Sequence, residues 1–408
     1  MDSIEKYDEK EENENNEIIA YTLSIYDILE NIISYLNVKS LRQAAAVCRL
    51  WRETAQTELA TRNEIQCLLL PLYIASYRCA LNCEGDEDQS DPSDKRLEYD
   101  LDTGWDIIDV VRSIPKVFLL FHEAQTTVNV PYHYKYTKML PESATFATFG
   151  LMMLSMDSTE IFGLSNLATG ISIPSTNSLN NEVFMVDDFS LTESTAEKLV
   201  DDAMAALKIS STDKGHSCFL IFQNRENDGT LDYLQERNKA YISELLRSLK
   251  KRCEPGSYSI LGSGCLCMDV FTPVSSENDL NFSFVLRLYG PAVKSWSVVL
   301  SLYLPDSIVE EQLRAFKKGV NANFHTIAIA AFPVDKRQAF ECTRQNRLNA
   351  DIYLHRTDVF KKVFPNVPLI CLYDDQTFTQ IGCNTLNDVH DSSMEHKDSV
   401  IYLVMSTT

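Results

Sequence analysis

Apolar residues at the start of the chain recur as Ile25, Ile28, Leu29, Ile32, Ile33 and Leu36, the i, i+3, i+4, i+7 spacing of one helix face. Asn37 then stands as a helix N-cap, and Leu41, Ala44, Ala45, Val47 and Cys48 trace a second apolar stripe. Leu50 and Trp51 open a third short helix that runs towards Leu59. A unit of roughly 40 residues seldom buries enough surface to be stable alone. Burying one large apolar side chain is worth about 1.5–3 kcal/mol, so three short helices carry a surplus of apolar surface. Its cover is either the rest of this chain or another protein.

Beyond Ala60 the apolar residues come in shorter runs. Asn63–Tyr73, with Ile65, Leu68, Leu69, Leu70 and Leu72, predicts a buried strand. Residues 83–104 are polar and acidic and predict a long exposed insertion. A helix over Trp105–Arg112 and a strand over Lys116–Phe121 follow. Short strands broken by Gly163, Gly170 and Pro174 fill Ser143–Asp188, Val183–Val186 being the clearest. The next helix covers Thr192–Leu207 and takes Ser190 or Thr192 as its cap.

From Ser217 the periodicity sharpens. Ser217–Phe222 predicts a strand, and Leu231–Leu249 a long amphipathic helix ending in Lys250-Lys251-Arg252, where the helix dipole favours cations. Ser259–Leu261 returns as a strand into a tight turn at Gly262-Ser263-Gly264. Phe282–Leu288 and Trp296–Leu304 predict an antiparallel pair joined through Gly290-Pro291. A helix from Pro305 to Gly319 leads to strand Thr326–Phe332, helix Leu348–Phe364, strand Leu369–Tyr373, the segment Gln380–Cys383 and a last strand, Val400–Met405. Strand, helix, strand and glycine thus follow in the same order at 217–264 and at 326–383, as in two related half-domains. Three helices ahead of a mixed α/β body place the chain in the α+β class.

Composition narrows the functions this pattern could serve. The 408 residues carry a net charge of −21, which argues against nucleic acid, since phosphates need cations to neutralise them, and against anionic membranes. Residues 1–20 are acidic and predict a disordered tail without the apolar run of a signal peptide. The 11 cysteines are odd in number and irregularly spaced, so reduced thiols and a cytoplasmic or nuclear setting are expected.

Candidate chemistry is sparse. Cys265-x-Cys267 and Cys79-x3-Cys83 lack a second pair for zinc, and His122, His133 and His216 are scattered. Cys342, Cys371 and Cys383 are candidate thiols without a catalytic constellation, and no cofactor is expected. Asp187-Asp188 and Asp374-Asp375 read as solvated loop acids. No nucleophile-elbow, Walker or zinc-protease motif occurs, and an enzyme is not expected.

Two stretches resemble known families. Ile32-Ile33-Ser34-Tyr35-Leu36, then Leu41, then Val47-Cys48-Arg49-Leu50-Trp51-Arg52 resembles an F-box, although Leu23 is followed by Ser24 where an F-box usually has Leu-Pro. Thr326-Ile327-x-Ile329, Asn349-Ala350-Asp351, the run Val359–Leu369 and Ile381-Gly382-Cys383 resemble the C-terminal part of a FIST domain (F-box and intracellular signal transduction). The resemblance implies an F-box at 21–62, a FIST N-terminal-like domain at 63–264 and a FIST C-terminal domain at 265–408. It implies a substrate receptor of Skp–cullin–F-box ubiquitin ligases, whose partners are the Skp adaptor (S-phase kinase-associated protein 1), the cullin–RING scaffold through that adaptor, and target proteins. The adaptor-binding residues would be Leu23, Ile28, Leu29, Ile32, Ile33, Leu36, Leu41, Val47, Cys48 and Trp51.

The loops Pro333–Arg337 and Asp374–Thr379 depart from the family, with Pro333 at a Cys position and no glycine-rich turn after the second strand. They are the expected target-docking surface, through Lys336, Arg337, Tyr373, Asp374, Asp375 and Phe378. The alternative is a ligand-sensing or enzymatic α/β protein of FIST type with a helical cap.

Overall fold

The computed structural model describes residues 21, 25–62, 64–71, 97–99, 111–123, 126–128, 144–151, 153–156, 167–174, 176, 178–209, 216–224, 232–265, 267–271, 281–322, 325–334, 350–375, 380–385 and 394–407. The expected acidic tail and Leu23 lie outside them. The chain divides into a unit of residues 1–63 with 105–114 and a unit of residues 64–104 with 115–408. The expected cut between Gly264 and Cys265 falls inside a strand of the second unit.

The first unit holds α1 (Tyr26–Ser34), α2 (Val38–Ala44) and α3 (Arg49–Thr61). Asn37 caps α2 as its position predicts, its Oδ1 accepting the Ser40 N–H at 2.8 Å. Of the expected helix Trp105–Arg112, residues 105–110 lie outside the described ones, and Val111 and Arg112 are not helical.

The second unit begins with β1 (Gln66–Pro71), β2 (Leu97–Tyr99), β3 (Pro115–Glu123), β4 (Thr126–Val128), β5 (Thr145–Leu151), β6 (Met153–Met156) and β7 (Leu167–Pro174). Next come β8 (Asn180–Asp187), α4 (Asp188–Glu193), α5 (Ala196–Ala206), β9 (Ser217–Asn224), α6 (Asp232–Arg252), β10 (Tyr258–Cys265), β11 (Cys267–Phe271) and β12 (Asn281–Tyr289). The chain ends with β13 (Val293–Ser301), α7 (Asp306–Gly319), β14 (Thr326–Val334), α8 (Ala350–Val363), β15 (Leu369–Asp375), β16 (Gln380–Gly382), β17 (Glu395–His396) and β18 (Ser399–Thr407).

These strands build three large sheets on one plan. Their orders are β1-β7-β3-β5-β11, β8-β12-β9-β10-β16 (with β17 beyond β16) and β13-β18-β14-β15-β6. In each, the third and fourth strands are the parallel pair: β3 with β5, β9 with β10, β14 with β15. Every other pairing in these sheets is antiparallel. The chain visits first, third, fourth and second positions in turn over 66–174, 180–289 and 293–407, so the body is three repeats. The two half-domains expected from the sequence are the second and third.

The fifth strand of each sheet comes from another repeat. β6 leaves the first repeat for the third sheet, β11 the second repeat for the first sheet, and β16 the third repeat for the second sheet. This cyclic exchange interlocks the repeats. A single apolar core lies between them, drawing Phe121 and Phe149 from the first sheet, Leu220, Phe222 and Phe284 from the second, and Ile329, Leu372 and Leu403 from the third. Phe149 and Phe222 lie with ring centroids 4.2 Å apart. The outer faces pack under helices: α4, α5 and α6 cover the second sheet, while α7 and α8 cover the third.

Several local expectations are corrected. Gly262-Ser263-Gly264 is no turn, because all three lie inside β10. A Cβ at Gly262 would come within 2.6 Å of Ile381 on the neighbouring β16, so the glycine serves close strand packing. Likewise Gly170 sits inside β7 opposite Leu68 and Leu120. β12 and β13 are not partners but enter different sheets. Gly290 between them has φ +130°, and a Cβ there would meet the Ser178 carbonyl oxygen at 2.5 Å. The single helix expected over Thr192–Leu207 is two, because Asp187 caps α4 and Thr195 starts α5 by accepting the Lys198 N–H. Within the expected exposed insertion, Leu97–Tyr99 forms a strand against β4. Gly163 lies outside the described residues.

Candidate partner-binding face

The expected single stripe on α1 divides in two. Leu29 and Ile33 turn inward with Leu41 and Ala55, and Leu36, Leu50, Trp51 and Leu59 pack partly buried against them. Ile25, Ile28, Ile32 and Tyr35 follow the 3-4-3 spacing of the adjoining face and are 39%, 37%, 38% and 80% exposed. Val47 and Cys48, in the turn before α3, are exposed too. Of the expected adaptor residues, then, Leu29, Ile33 and Leu41 form the interior, Leu36 and Trp51 its margin, and Ile28, Ile32, Val47 and Cys48 the surface.

Arg62 holds this unit together, and nothing in the helical pattern singled it out. Its guanidinium donates to the carbonyls of Leu36 (2.6 Å), Ser34 (3.0 Å) and Ile33 (3.2 Å), which close the end of α1. It also donates to the Arg112 carbonyl at 2.5 Å and to Glu58 at 2.9 Å. The Val38 N–H donates to the Val111 carbonyl at 3.0 Å, and the Arg112 guanidinium to the Ser34 carbonyl at 2.9 Å. The returning segment Val111–Ile114 thus belongs to the helical unit. Sequence signals for Arg62 exist only in hindsight: an arginine just past a helix end, four residues after Glu58.

Two of the expected docking residues are buried in a strand. Tyr373 is 1% exposed and stacks on Phe332 with centroids 5.0 Å apart. Asp374 is equally buried, its Oδ2 accepting the Gly264 N–H at 2.6 Å. Tyr373 lies in β15 as expected, and the strand continues through Asp374 and Asp375, which were expected in the loop. Pro333 likewise lies in β14. Lys336, Arg337 and Phe378 lie outside the described residues.

Other candidates are absorbed by the fold. Asp187 is a helix cap. Cys371 is buried beside Thr357, and the half-buried Cys383 lies 3.4 Å from the Ser297 hydroxyl. Burial pushes the Cys218 thiol up to about 12. His216 meets the Ser295 hydroxyl at 2.8 Å, and burial lowers its pKa. Cys342, Cys79, Cys83 and His133 lie outside the described residues. Among the described residues no group of three or more His, Cys, Asp or Glu could hold a metal ion.

Sequence comparison with curated proteins gives no match. Among solved structures, the chain is similar to a cyanuric acid hydrolase from A. caulinodans, at 9% identity and a TM-score of 0.36, over 72% of this chain and 90% of that one. A thiamine monophosphate kinase from Aquifex aeolicus is similar at 10% identity and a TM-score of 0.18, over 56% and 83% of the two chains. At that level of likeness neither carries an inference about this chain. The family comparison falls on the helices that bear the exposed stripe: residues 26–63 match the F-box-like family and form an F-box-like domain.

Proposed function

We propose that this chain is the substrate-recognition subunit of a Skp–cullin–F-box ubiquitin ligase. Its F-box-like domain binds the Skp adaptor (S-phase kinase-associated protein 1), and its body holds target proteins for ubiquitination and degradation. The observation that carries this reading is the stripe Ile25, Ile28, Ile32 and Tyr35, left in solvent on a helix whose adjoining face already fills the interior. Partner proteins that take up an amphipathic helix read such i, i+3, i+7 anchors. The motifs between Ile327 and Gly382 add support, since an F-box followed by them resembles F-box only protein 22. In this role the chain is a non-catalytic tether, acting in cytoplasm or nucleus, and Lys336, Arg337 and Phe378 contribute to target docking.

The test uses the full chain with Ile28→Asp and Ile32→Asp combined. Adaptor binding is expected to weaken by about 100-fold or more, since central apolar anchors cost ~2 kcal/mol or more when removed. The melting temperature should hold, because neither side chain belongs to the interior. Adaptor capture at wild-type strength by this folded variant would sink the proposal.

A further inference from the structure

Polar side chains collect where the parallel strands of the second and third sheets end. In β9, β10 and β15 the alternate residues Phe222, Leu261, Cys265 and Leu372 point into the central core. Strand alternation turns Asn224, Ser263 and Asp374 to that same side. β16 pairs with β10 through Gly382 opposite Leu261 and Ile381 opposite Gly262. One further step of the register sets Gln380 across from Ser263, on the core side, since Ile381 belongs to the outer cluster. All four residues are buried. Just past the last β16 pairing, Asp374 takes the Gly264 N–H.

Gln380 is the telling member. It is 0% exposed, yet neither its Oε1 nor its Nε2 meets a partner among the described residues. A carboxamide offers two N–H donors and an acceptor oxygen, and burying one without hydrogen bonds is costly enough that such groups ask for an explanation. A cation would serve only the oxygen and an anion only the nitrogen. A neutral group with donor and acceptor side by side serves both. Ligands of α/β sheets characteristically sit outside the carboxyl ends of parallel strands, and β9, β10 and β15 all end here.

We propose that Gln380, with Asn224, Ser263 and Asp374, forms a binding site for a small uncharged molecule carrying both N–H donors and a carbonyl acceptor, of the amide, lactam or ureide class. The Gln380 carboxamide pairs with the ligand's donor and acceptor, and the Asp374 carboxylate accepts from a second ligand N–H. The site is built from side chains, so it does not require the glycine-rich loops this chain lacks. It stands independently of adaptor binding.

The full chain is titrated with 2-pyrrolidinone and uracil, and with acetate and guanidinium as charged controls. Melting temperature and saturation-transfer NMR are the readouts. At about ten times its dissociation constant, a neutral probe is expected to raise Tm by about 1–2 °C. Gln380→Leu should weaken that probe by about tenfold or more, the worth of one lost hydrogen-bonding group, and should melt at or above the wild type because it removes an unpartnered amide. If Gln380→Leu does not fold, Gln380→Met serves, and Asn224→Leu is expected to weaken the same probe. Silence from both neutral probes, an equal response to the charged controls, or a response unchanged in the Gln380 variant overturns the proposal and leaves the amide to water alone.

Discussion

The helical unit and the three-repeat body solve opposite problems. The helical unit has too little interior: Leu29, Ile33, Leu41 and Ala55 make its buried cluster while Ile25, Ile28, Ile32 and Tyr35 stay in water. The body has so large an interior, shared by three interlocked sheets, that polar side chains such as Gln380 and Asp374 are drawn fully inside. Surplus apolar surface outside points to a protein partner, since exposed stripes of this kind mark interaction sites. The unpartnered Gln380 carboxamide inside points to a small molecule. The same excess, displaced in opposite directions, leaves an apolar stripe outside one unit and a polar group inside the other.

Arginine truncation tests that contrast most severely. Arg62 in the helical unit and Arg356 in the body have the same task. Arg62 closes carbonyls at the end of α1, and Arg356 donates to the Leu302 carbonyl at 2.9 Å, to the Leu304 carbonyl and to Asp306 at 2.7 Å. Truncating a buried, hydrogen-bonded charge costs about 3–5 kcal/mol. A domain with so small a core has roughly that much stability in all. Arg62→Ala is therefore expected to melt the helical unit and abolish adaptor binding while the body's unfolding transition stays in place. Arg356→Ala should lower the body's transition and leave adaptor binding intact. Calorimetry of both variants checks this, and a single shared transition shifted alike by both would erase the distinction.

A smaller effect is expected at Gly290, where the second repeat hands over to the third. Alanine there takes a left-handed φ and drives its Cβ against the Ser178 carbonyl. Strain of this kind costs about 1–3 kcal/mol. Gly290→Ala should lower the body's denaturant midpoint with no change in adaptor affinity. An unaltered midpoint would show that the hand-over relaxes freely and that the repeats are less tightly interlocked than their exchanged strands imply.

These positions also show what the sequence made legible. Helix α1 and the β–α–β pattern of the second and third repeats were readable because their periodicity is local. The division of α1 into two faces was not. Neighbours such as Ile28 and Leu29 or Ile32 and Ile33 look alike in sequence, and only packing against α2 and α3 decides which turns inward. Sheet membership was hidden for the same reason: β6, β11 and β16 pair with strands of another repeat, and pairing at that distance leaves no local mark. The first repeat escaped notice because the chain between β1 and β3 carries residues 72–114. Asp374 was read as a loop residue because the strand Leu369–Asp375 runs past its apolar stretch. Gln380 had no signal at all, since an unmet hydrogen bond exists only in three dimensions.

The smallest expected effect separates the two units by proton uptake. Residues 1–63 and 105–114 contain no histidine, whereas in the body His216 is held below the ordinary histidine pKa of 6.5 by burial, opposed by its contact with Ser295. The unfolded chain then binds a proton near pH 6.5 that the folded body still refuses. Stability changes with pH in proportion to protons bound unfolded minus folded, which is positive here, so stability rises with pH through this window. His216's contribution is complete above pH 6.5 and is lost as pH falls towards its lowered value. The body's melting temperature should therefore decline between pH 7 and pH 5 less steeply in His216→Gln than in the wild type. The slopes are compared between those two proteins, since other histidines of the body titrate in both. The helical unit's transition should show no change on this substitution. Equal slopes for wild type and variant would mean that His216 is as free to take up a proton in the fold as out of it.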